Sequence, residues 1–335
     1  MIHRIEPACQ TPPWQQALAT AITDPAVLVD HLQLDPALLP AAQRAAELFR
    51  LKVPRPFVEL MRKGDPGDPL LRQVLPLGAE LSPAPGFVED PVGDEEKAVV
   101  PGILHKYQGR MLLIASGSCA VHCRYCFRRH FPYQANSACR NQWQQALDYI
   151  RDSRETDEVI LSGGDPLTLT DGRLAQLIDK LSGIPHLRRL RLHTRLPVVI
   201  PRRLTPGLID LLSSSRLSSI VVLHVNHANE LGPELRARLP RIRESGVTLL
   251  NQSVLLRGVN DSVDSLSQLS LSLFECGVLP YYLHLLDRVR GAAHFEVPEV
   301  EARRLQEGIR ERLPGYLVPA MVREIAGAPA KQPFF

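Results

Sequence analysis

The sequence lacks any run of about 18 consecutive apolar residues, the minimum length for a membrane-spanning helix. Its first residues, MIHRIEPACQTPPWQQ, lack the apolar core that a secretory signal peptide requires. Charge of one sign is also scarce, because the formal net charge is only +3 with 22% charged residues. So small a surplus does not indicate a nucleic-acid partner. We therefore expect a cytoplasmic protein that binds neither a membrane nor a nucleic acid.

Cysteine is rare and unevenly distributed. The chain has six cysteines, and Cys119, Cys123 and Cys126 fall within the short stretch CAVHCRYC. Because thiols stay reduced in the cytoplasm, such a cluster indicates metal binding or catalysis rather than disulfides. The other cysteines are predicted to be unpaired, mostly buried thiols: Cys9, Cys139 and Cys276.

The chain divides into four predicted regions. Residues 1–75 carry apolar residues at helical spacing broken by prolines, and residues 76–105 form an irregular arm rich in Pro, Gly and acid. Residues 106–310 alternate β-rich runs with helical patterns, and residues 311–335 form a C-terminal segment. The β-rich runs are 110–116, 157–163, 188–194, 218–225, 246–254 and 278–286. Such alternation predicts a parallel α/β sheet, either doubly wound or an incomplete barrel.

Polar residues cluster where these predicted strands end. In both architectures ligands gather at the carboxyl ends of the strands, so this edge is the predicted site. The strand-end residues are Ser116, Ser162, His193, His224, Gln252 and Asp287.

The cysteine loop, SGSCAVHCRYCF, directly follows the first of these strands. Structural zinc usually takes four ligands, and His122 is poorly placed because it is adjacent to Cys123. A four-iron cluster held by three thiolates leaves one iron open for a ligand. The loop therefore favours an iron–sulfur cluster, with a zinc knuckle as the alternative.

The spacing C-x3-C-x2-C, with an aromatic residue before the last cysteine, resembles the signature of the radical S-adenosylmethionine superfamily. The resemblance implies an incomplete (β/α)6 barrel with an N-terminal helical region. It also implies a [4Fe-4S] cluster on the three cysteines and S-adenosyl-L-methionine at the open iron. The glycine-rich stretch LSGGDPL then supplies further cofactor-binding residues: Ser162, Gly163, Gly164 and Asp165.

Longer stretches narrow the family. They are CRYCFRRH, LSGGDPL, HTRLPVVIPRRL, LHVNHANE, NQSVLLRGVND and YYLHLLD. Together, from about Lys106 to Lys331, they resemble lysine 2,3-aminomutase, which adds pyridoxal 5′-phosphate to the radical machinery. The resemblance implies an isomerase, an L-lysine 2,3-aminomutase that converts free (S)-α-lysine to (R)-β-lysine through a 5′-deoxyadenosyl radical.

The same resemblance assigns residue roles. The implied catalytic set is Lys331 as the Schiff-base lysine, Arg128 for the substrate carboxylate, and Asp287 with Glu324 for the side-chain ammonium. The implied cofactor-binding set combines a phosphate clamp with two S-adenosylmethionine ligands: Lys106, Tyr107, Arg110, His224 and Gln252. His284 replaces a tyrosine of the clostridial-type enzymes and has no assigned role.

Departures from the family pattern indicate a subtype. Lys106 replaces an arginine and Glu324 an aspartate, and Ser262 occupies the position of a zinc-binding cysteine in the fermentative enzymes. Together with the short segment after Lys331, this predicts no zinc and resembles the aminomutase that serves elongation factor P through a partner ligase. The N-terminal helices are a candidate interface for a homo-oligomer. The alternatives are an aminomutase for another amino acid, such as glutamate, and a non-catalytic iron–sulfur sensor.

Overall fold

The structure is a computed structural model that describes residues 11–133 and 143–334. Cys9 and Cys139 lie outside the described residues. The helices are α1 (Pro13–Ala19), α2 (Pro25–His31), α3 (Leu39–Leu48), α4 (Arg55–Val58), α5 (Pro69–Arg72), α6 (Gln144–Asp152), α7 (Asp171–Ser182), α8 (Leu196–Val199), α9 (Pro206–Ser213), α10 (Pro233–Glu244), α11 (Val263–Glu275) and α12 (Glu299–Arg312). The strands are β1 (Ala98–Val100), β2 (Ile103–Tyr107), β3 (Arg110–Ser116), β4 (Glu158–Gly163), β5 (Arg189–Thr194), β6 (Ser218–His224), β7 (Thr248–Val254), β8 (Leu279–His284), β9 (Ala320–Arg323) and β10 (Gln332–Pro333).

The ten strands of the described residues form one sheet in chain order. The strands from β3 to β9 run parallel, whereas β1, β2 and β10 pair antiparallel with their neighbours. A doubly wound sheet reverses its strand order at a switch point, and this sheet does not. Because the described β1 and β10 are opposite edges of the sheet, the architecture is an incomplete (β/α) barrel. This confirms the predicted fold class.

The six predicted strands correspond to β3 through β8, with ends that differ by at most two residues. Four strands were not predicted, and they are short and lie at or near the sheet edges: β1, β2, β9 and β10. β2 carries Lys106 and Tyr107, and Glu324 and Lys331 lie in the connection between β9 and β10. The stretch HKYQGR, which holds the predicted phosphate clamp, forms the hairpin that joins β2 to β3.

Local sequence explains the central elements. Every residue of β4 is buried, as expected for a strand covered on both faces of a parallel sheet. α7 buries Leu174, Leu177, Ile178 and Leu181 on one face, and the Thr170 side chain accepts a hydrogen bond from a backbone N–H of its first turn. No helix in the described ranges is long and apolar enough to cross a membrane.

The N-terminal helices share one hydrophobic core with the barrel. Leu28, Phe57 and Leu70 are buried in the same cluster as the strand residues Leu161 and Leu192. Helices α1, α2 and α5 each begin with proline in the first turn, where its missing N–H costs nothing. The N-terminal region also contacts the cysteine loop, because the backbone N–H groups of His122 and Arg124 donate to the carbonyls of Lys52 and Gln73.

A second cluster fixes the C-terminal segment. Phe334 packs against Leu283, Ile309 and Met321, and its backbone N–H donates to the carbonyl of Met321 over 3.0 Å. The β9–β10 hairpin thus anchors the chain on both sides of Lys331.

Candidate active site

One cavity of about 290 Å³ opens at the carboxyl ends of the strands. It is lined by every site residue expected from the sequence: Lys106, Tyr107, Arg110, Cys119, Cys123, Cys126, Arg128, Ser162, Gly163, Gly164, Asp165, His224, Gln252, Asp287, Glu324 and Lys331. Of the strand-end polar residues, Ser116 does not line it and hydrogen-bonds Thr168 instead. The sequence thus located the cavity, and the roles of its residues remain predictions.

The cysteine loop leaves β3 and forms one wall of this cavity. Burial raises the pKa of Cys119 well above its ordinary value, and the nearby Cys126, Asp165 and Cys123 raise it further. Burial, followed by the influence of Cys123, raises the pKa of Cys126 to about 11. All three thiols line this cavity, and a metal centre that takes thiolates would stabilise their charged forms.

The donor set fits an iron–sulfur cluster. A cluster distributes thiolates over several irons, and three thiols on one cavity wall meet that requirement.

Two glycines let the loop pack on the end of β4. A Cβ atom on Gly163, whose φ is +114°, would lie 2.4 Å from the carbonyl oxygen of Ser116. A Cβ atom on Gly164 would lie 2.3 Å from the carbonyl oxygen of Ser118. The glycines were expected to admit a ligand. In the structure the backbone of Ser116 and Ser118 occupies the space that their side chains would need, and the contact with a ligand stays a prediction.

Asp165 joins the ends of β4 and β5. Its carboxylate accepts hydrogen bonds from the Thr194 hydroxyl and from the backbone N–H groups of Leu167, Arg195 and Leu196, at 2.8 to 3.0 Å. Burial nevertheless raises its pKa. Although Asp165 lines the cavity, its hydrogen-bonding capacity is used within the protein.

Ion pairs connect the two ends of the predicted substrate site. Lys331 Nζ lies 2.5 Å from Glu324 Oε2, and Lys106 Nζ lies 3.3 Å from Glu324 Oε1. Lys106 Nζ also lies 2.6 Å from Asp94 Oδ1, and Arg128 Nε lies 2.6 Å from Asp94 Oδ2. A continuous chain of alternating charge therefore runs from the predicted Schiff-base lysine to the predicted carboxylate-binding arginine.

Two acidic groups converge near Lys331, as expected for an ammonium pocket. Burial and the charge of Glu324 raise the pKa of Asp287 to about 7. Burial also acts to raise the pKa of Glu324, but the charges of Lys331 and Lys106 outweigh it and hold that pKa at about 2. Near neutral pH Glu324 is charged and Asp287 is only partly so.

The β2–β3 hairpin presents the predicted phosphate clamp. Arg110 stacks 4.6 Å from the centre of the Tyr107 ring, and Lys106 also donates to the carbonyl of Val92 over 2.8 Å. Burial and the charge of Glu324 raise the pKa of Tyr107, so its hydroxyl stays protonated as a donor. With the amine of Lys331 in the same cavity, these groups fit an aldehyde cofactor that bears a phosphate.

Histidines also line the cavity. Gln252 Nε2 donates to His224 Nε2 over 2.8 Å, and burial, then Arg195, lowers the pKa of His224 to about 3. His224 is therefore neutral. His284 is buried beside Lys331, and its Nε2 has no hydrogen-bond partner in the described structure.

Two site residues were missed by the sequence reasoning. Asp94, only 1% exposed, reaches the cavity from the irregular arm. Arg195 follows β5 and contacts Cys123 Sγ at 2.8 Å. Its stretch, HTRLPVVIPRRL, was singled out as a family motif, so a signal existed for Arg195, whereas nothing distinguished Asp94 from the acidic residues around it.

Several known proteins are similar to this chain. Residues 108–185 match the family model described as "4Fe-4S single cluster domain". The chain is 51% identical to the L-lysine 2,3-aminomutase of Escherichia coli, over 96% of this chain and 94% of the relative. It is 49% identical to that of Haemophilus influenzae, over 95% and 94%, and 36% identical to that of Clostridium subterminale, over 85% and 68%. Among solved structures, a radical SAM methyltransferase from Sphaerobacter thermophilus is similar at 19% identity and a TM-score of 0.43, over 66% of this chain and 68% of the other.

The incomplete barrel and the three-cysteine loop at its carboxyl edge define a protein of the radical S-adenosylmethionine class. Within that class, the identity and coverage of the bacterial relatives are decisive. The chain belongs to the lysine 2,3-aminomutase family.

Proposed function

We propose that this protein is an L-lysine 2,3-aminomutase that isomerises (S)-α-lysine to (R)-β-lysine. One observation carries the proposal: a single cavity brings together three cysteine thiols, an amine on a C-terminal hairpin, a guanidinium and an acidic pair. Those groups are the ones that radical initiation, an aldehyde cofactor and a diamino acid substrate each require.

The charge distribution suits lysine. Arg128 Nε donates to the carboxylate of Asp94, and Arg128 Nη1 lies 3.2 Å from Ser162 Oγ. These contacts would hold the guanidinium in position to pair with a substrate carboxylate. Asp287 and Glu324 form an acidic region next to Lys331 and would pair with the side-chain ammonium. A substrate with an acidic side chain would meet repulsion there.

When bound, the cluster and S-adenosyl-L-methionine would supply a carbon radical, and pyridoxal 5′-phosphate would supply a conjugated ring that supports transfer of nitrogen between adjacent carbons. The chain supplies position and charge. Lys331 offers the amine that holds the aldehyde, and Glu324 fixes that amine at 2.5 Å. Lys106, Tyr107 and Arg110 would hold the phosphate.

The residues 64–102 contribute to closure of the cavity. Val88 exchanges backbone hydrogen bonds with Arg288 and Arg290 after β8, so this segment is fixed beside the chain that follows Asp287. Solvent exclusion of this kind protects a reactive radical from stray donors.

Anaerobic turnover with lysine, arginine and glutamate tests the substrate assignment. We expect β-lysine from lysine and no corresponding isomer from glutamate. Asp287→Asn should raise the KM for lysine, while Asp210→Asn on the surface of α9 serves as a control of the same charge change. Selective use of glutamate would overturn the proposal.

We further propose that the protein works in the cytoplasm and that its product passes to a ligase acting on elongation factor P. Ser262 supports this, because it caps α11 through its hydroxyl at the position where the fermentative enzymes carry a zinc-binding cysteine. Deleting the gene should remove β-lysine from elongation factor P in the host cell, and unchanged modification would contradict the link. Self-association through the N-terminal helices remains a prediction for sedimentation analysis.

A further inference from the structure

Arg195 makes an unusual contact with a cysteine of the metal-binding loop. Its Nη1 lies 2.8 Å from Cys123 Sγ and also donates to the Tyr125 hydroxyl. Its Nη2 donates to Gln73 Oε1 over 2.7 Å and to Glu230 Oε2 over 3.0 Å. The planar guanidinium is therefore held by several partners, with one N–H directed at sulfur.

The guanidinium and its counter-ion are both buried. The side chain of Arg195 is 6% exposed, and that of Glu230 is 0% exposed. Glu230 is fixed in turn by Gln73 and by the backbone N–H groups of Asn226 and His227. Because screening is weak in such surroundings, the guanidinium charge acts strongly on the sulfur that it contacts, and the paired carboxylate of Glu230 offsets part of that charge.

We propose that Arg195 is a positioning residue that holds the Cys123 thiolate by an N–H···S hydrogen bond and sets the reduction potential of the cluster, with Glu230 opposing it. The inference rests on the cluster of the proposed function. It concerns how readily the cluster accepts one electron from an external one-electron reductant, and no bond is made or broken in that step.

The signs follow from electrostatics. Reduction adds negative charge to the cluster, so a nearby cation and a hydrogen bond to sulfur favour the reduced form and raise its potential. Removing the Arg195 charge should lower the potential. Removing the Glu230 charge leaves the cation less neutralised and should raise it.

The test is a redox titration of the reconstituted full-length chain, followed by the electron paramagnetic resonance signal of the reduced cluster. For Arg195→Gln we expect at least a tenfold lower ratio of reduced to oxidised cluster at a fixed potential, which is about 59 mV for one electron. Arg195→Lys keeps the positive charge but loses the planar guanidinium with its several N–H donors, so it should lower the reduction potential less. Glu230→Gln keeps the shape and should shift in the opposite direction.

Arg203→Gln is the matched control. Arg203 is fully buried and donates to the carbonyls of Leu167 and Leu169, so this variant loses a buried arginine that does not contact a cysteine. We expect an unchanged potential for it. If Arg195 had only a structural role, Arg195→Gln and Glu230→Gln would not shift the reduction potential in opposite directions.

Iron and sulfide content, measured on each sample, separates the two proposals. A full cluster with equal potentials in wild type, Arg195→Gln and Glu230→Gln would overturn the inference and leave the proposed function intact. If Arg195→Gln takes up no cluster, the Glu230→Gln shift decides alone. A wild-type chain without a cluster would overturn both proposals.

Discussion

Replacing Asp94 by asparagine tests the charge chain that crosses the cavity. Asp94 is 1% exposed and lies 2.6 Å from both Arg128 Nε and Lys106 Nζ. Removing it leaves two partly buried cations facing a neutral amide. Breaking a buried ion pair from one side costs about 3 kcal/mol at the low end of the usual range.

The corresponding change in melting temperature can be worked out. At about 2.1 cal/mol/K per residue, the 335 residues give an unfolding entropy of about 0.7 kcal/mol/K. A loss of about 3 kcal/mol then lowers the melting temperature by about 4 °C.

The pH dependence provides a second check. Burial acts to raise the pKa of Asp94, but Arg128 and Lys106 outweigh it and the pKa is lowered. A carboxylate with a depressed folded-state pKa stabilises the protein above its unfolded-state pKa, and this contribution is lost as the pH falls through the folded-state value. The difference between wild type and Asp94→Asn should therefore be largest at neutral pH and vanish in acid.

Inorganic phosphate should rescue the variant. With Asp94 neutral, the two cations Arg128 and Lys106 attract an anion, so phosphate should raise the melting temperature of Asp94→Asn more than that of wild type. Glu96→Gln, an exposed substitution of the same charge type two residues away, is the control and should behave like wild type. A variant as stable as wild type, with no extra response to phosphate, would refute the charge-chain reasoning.

The remaining predictions concern the amine, the acidic pair and the glycines. Borohydride reduction of pyridoxal phosphate-loaded protein should attach a pyridoxyl group to Lys331, and peptide mapping locates it. Lys331→Ala should lose this label, whereas Lys180→Ala, on the exposed side of α7, should keep it. A label on another lysine would count against the assignment. Because the pKa of Asp287 is about 7 and its charged form binds an ammonium, the KM for lysine should fall as the pH rises from about 6 to about 8. Asp287→Asn should flatten that profile, and an unflattened one would assign the titration to another group. Gly164→Ala should take up less iron, because its Cβ would lie 2.3 Å from a backbone oxygen of the cysteine loop. Gly172→Ala is the control, since its Cβ would have no atom within 4 Å, and it should stabilise α7 by about 0.5–1 kcal/mol. Equal iron uptake by both glycine variants would contradict the close-packing argument.

The central strands were predictable from sequence because they repeat at a regular period and are bounded by helical patterns. The edge strands were not, since β1, β9 and β10 have two to four residues each and form only where a neighbouring strand is already in place. β2 was concealed by its mixed apolar and basic composition, ILHKY.

Site prediction depended on where each residue lies in the chain. The cysteines, Asp287 and Gln252 follow or end regular strands, so topology alone brought them to one edge. Asp94 lies in an irregular, acid-rich arm, and only the path of that arm over the barrel selects it. Glu230 ends the motif LHVNHANE but had no assigned role, because its burial against Arg195 follows from side-chain packing that a linear pattern does not contain.

The most direct test of the account is a nitrogen-transfer measurement on protein that carries a full cluster and one pyridoxal phosphate on Lys331. The sample is incubated anaerobically with S-adenosyl-L-methionine, a one-electron reductant and lysine labelled at its α-amino nitrogen. We expect β-lysine that carries the label on its β-nitrogen. Unchanged α-lysine from such a fully loaded sample would contradict the account.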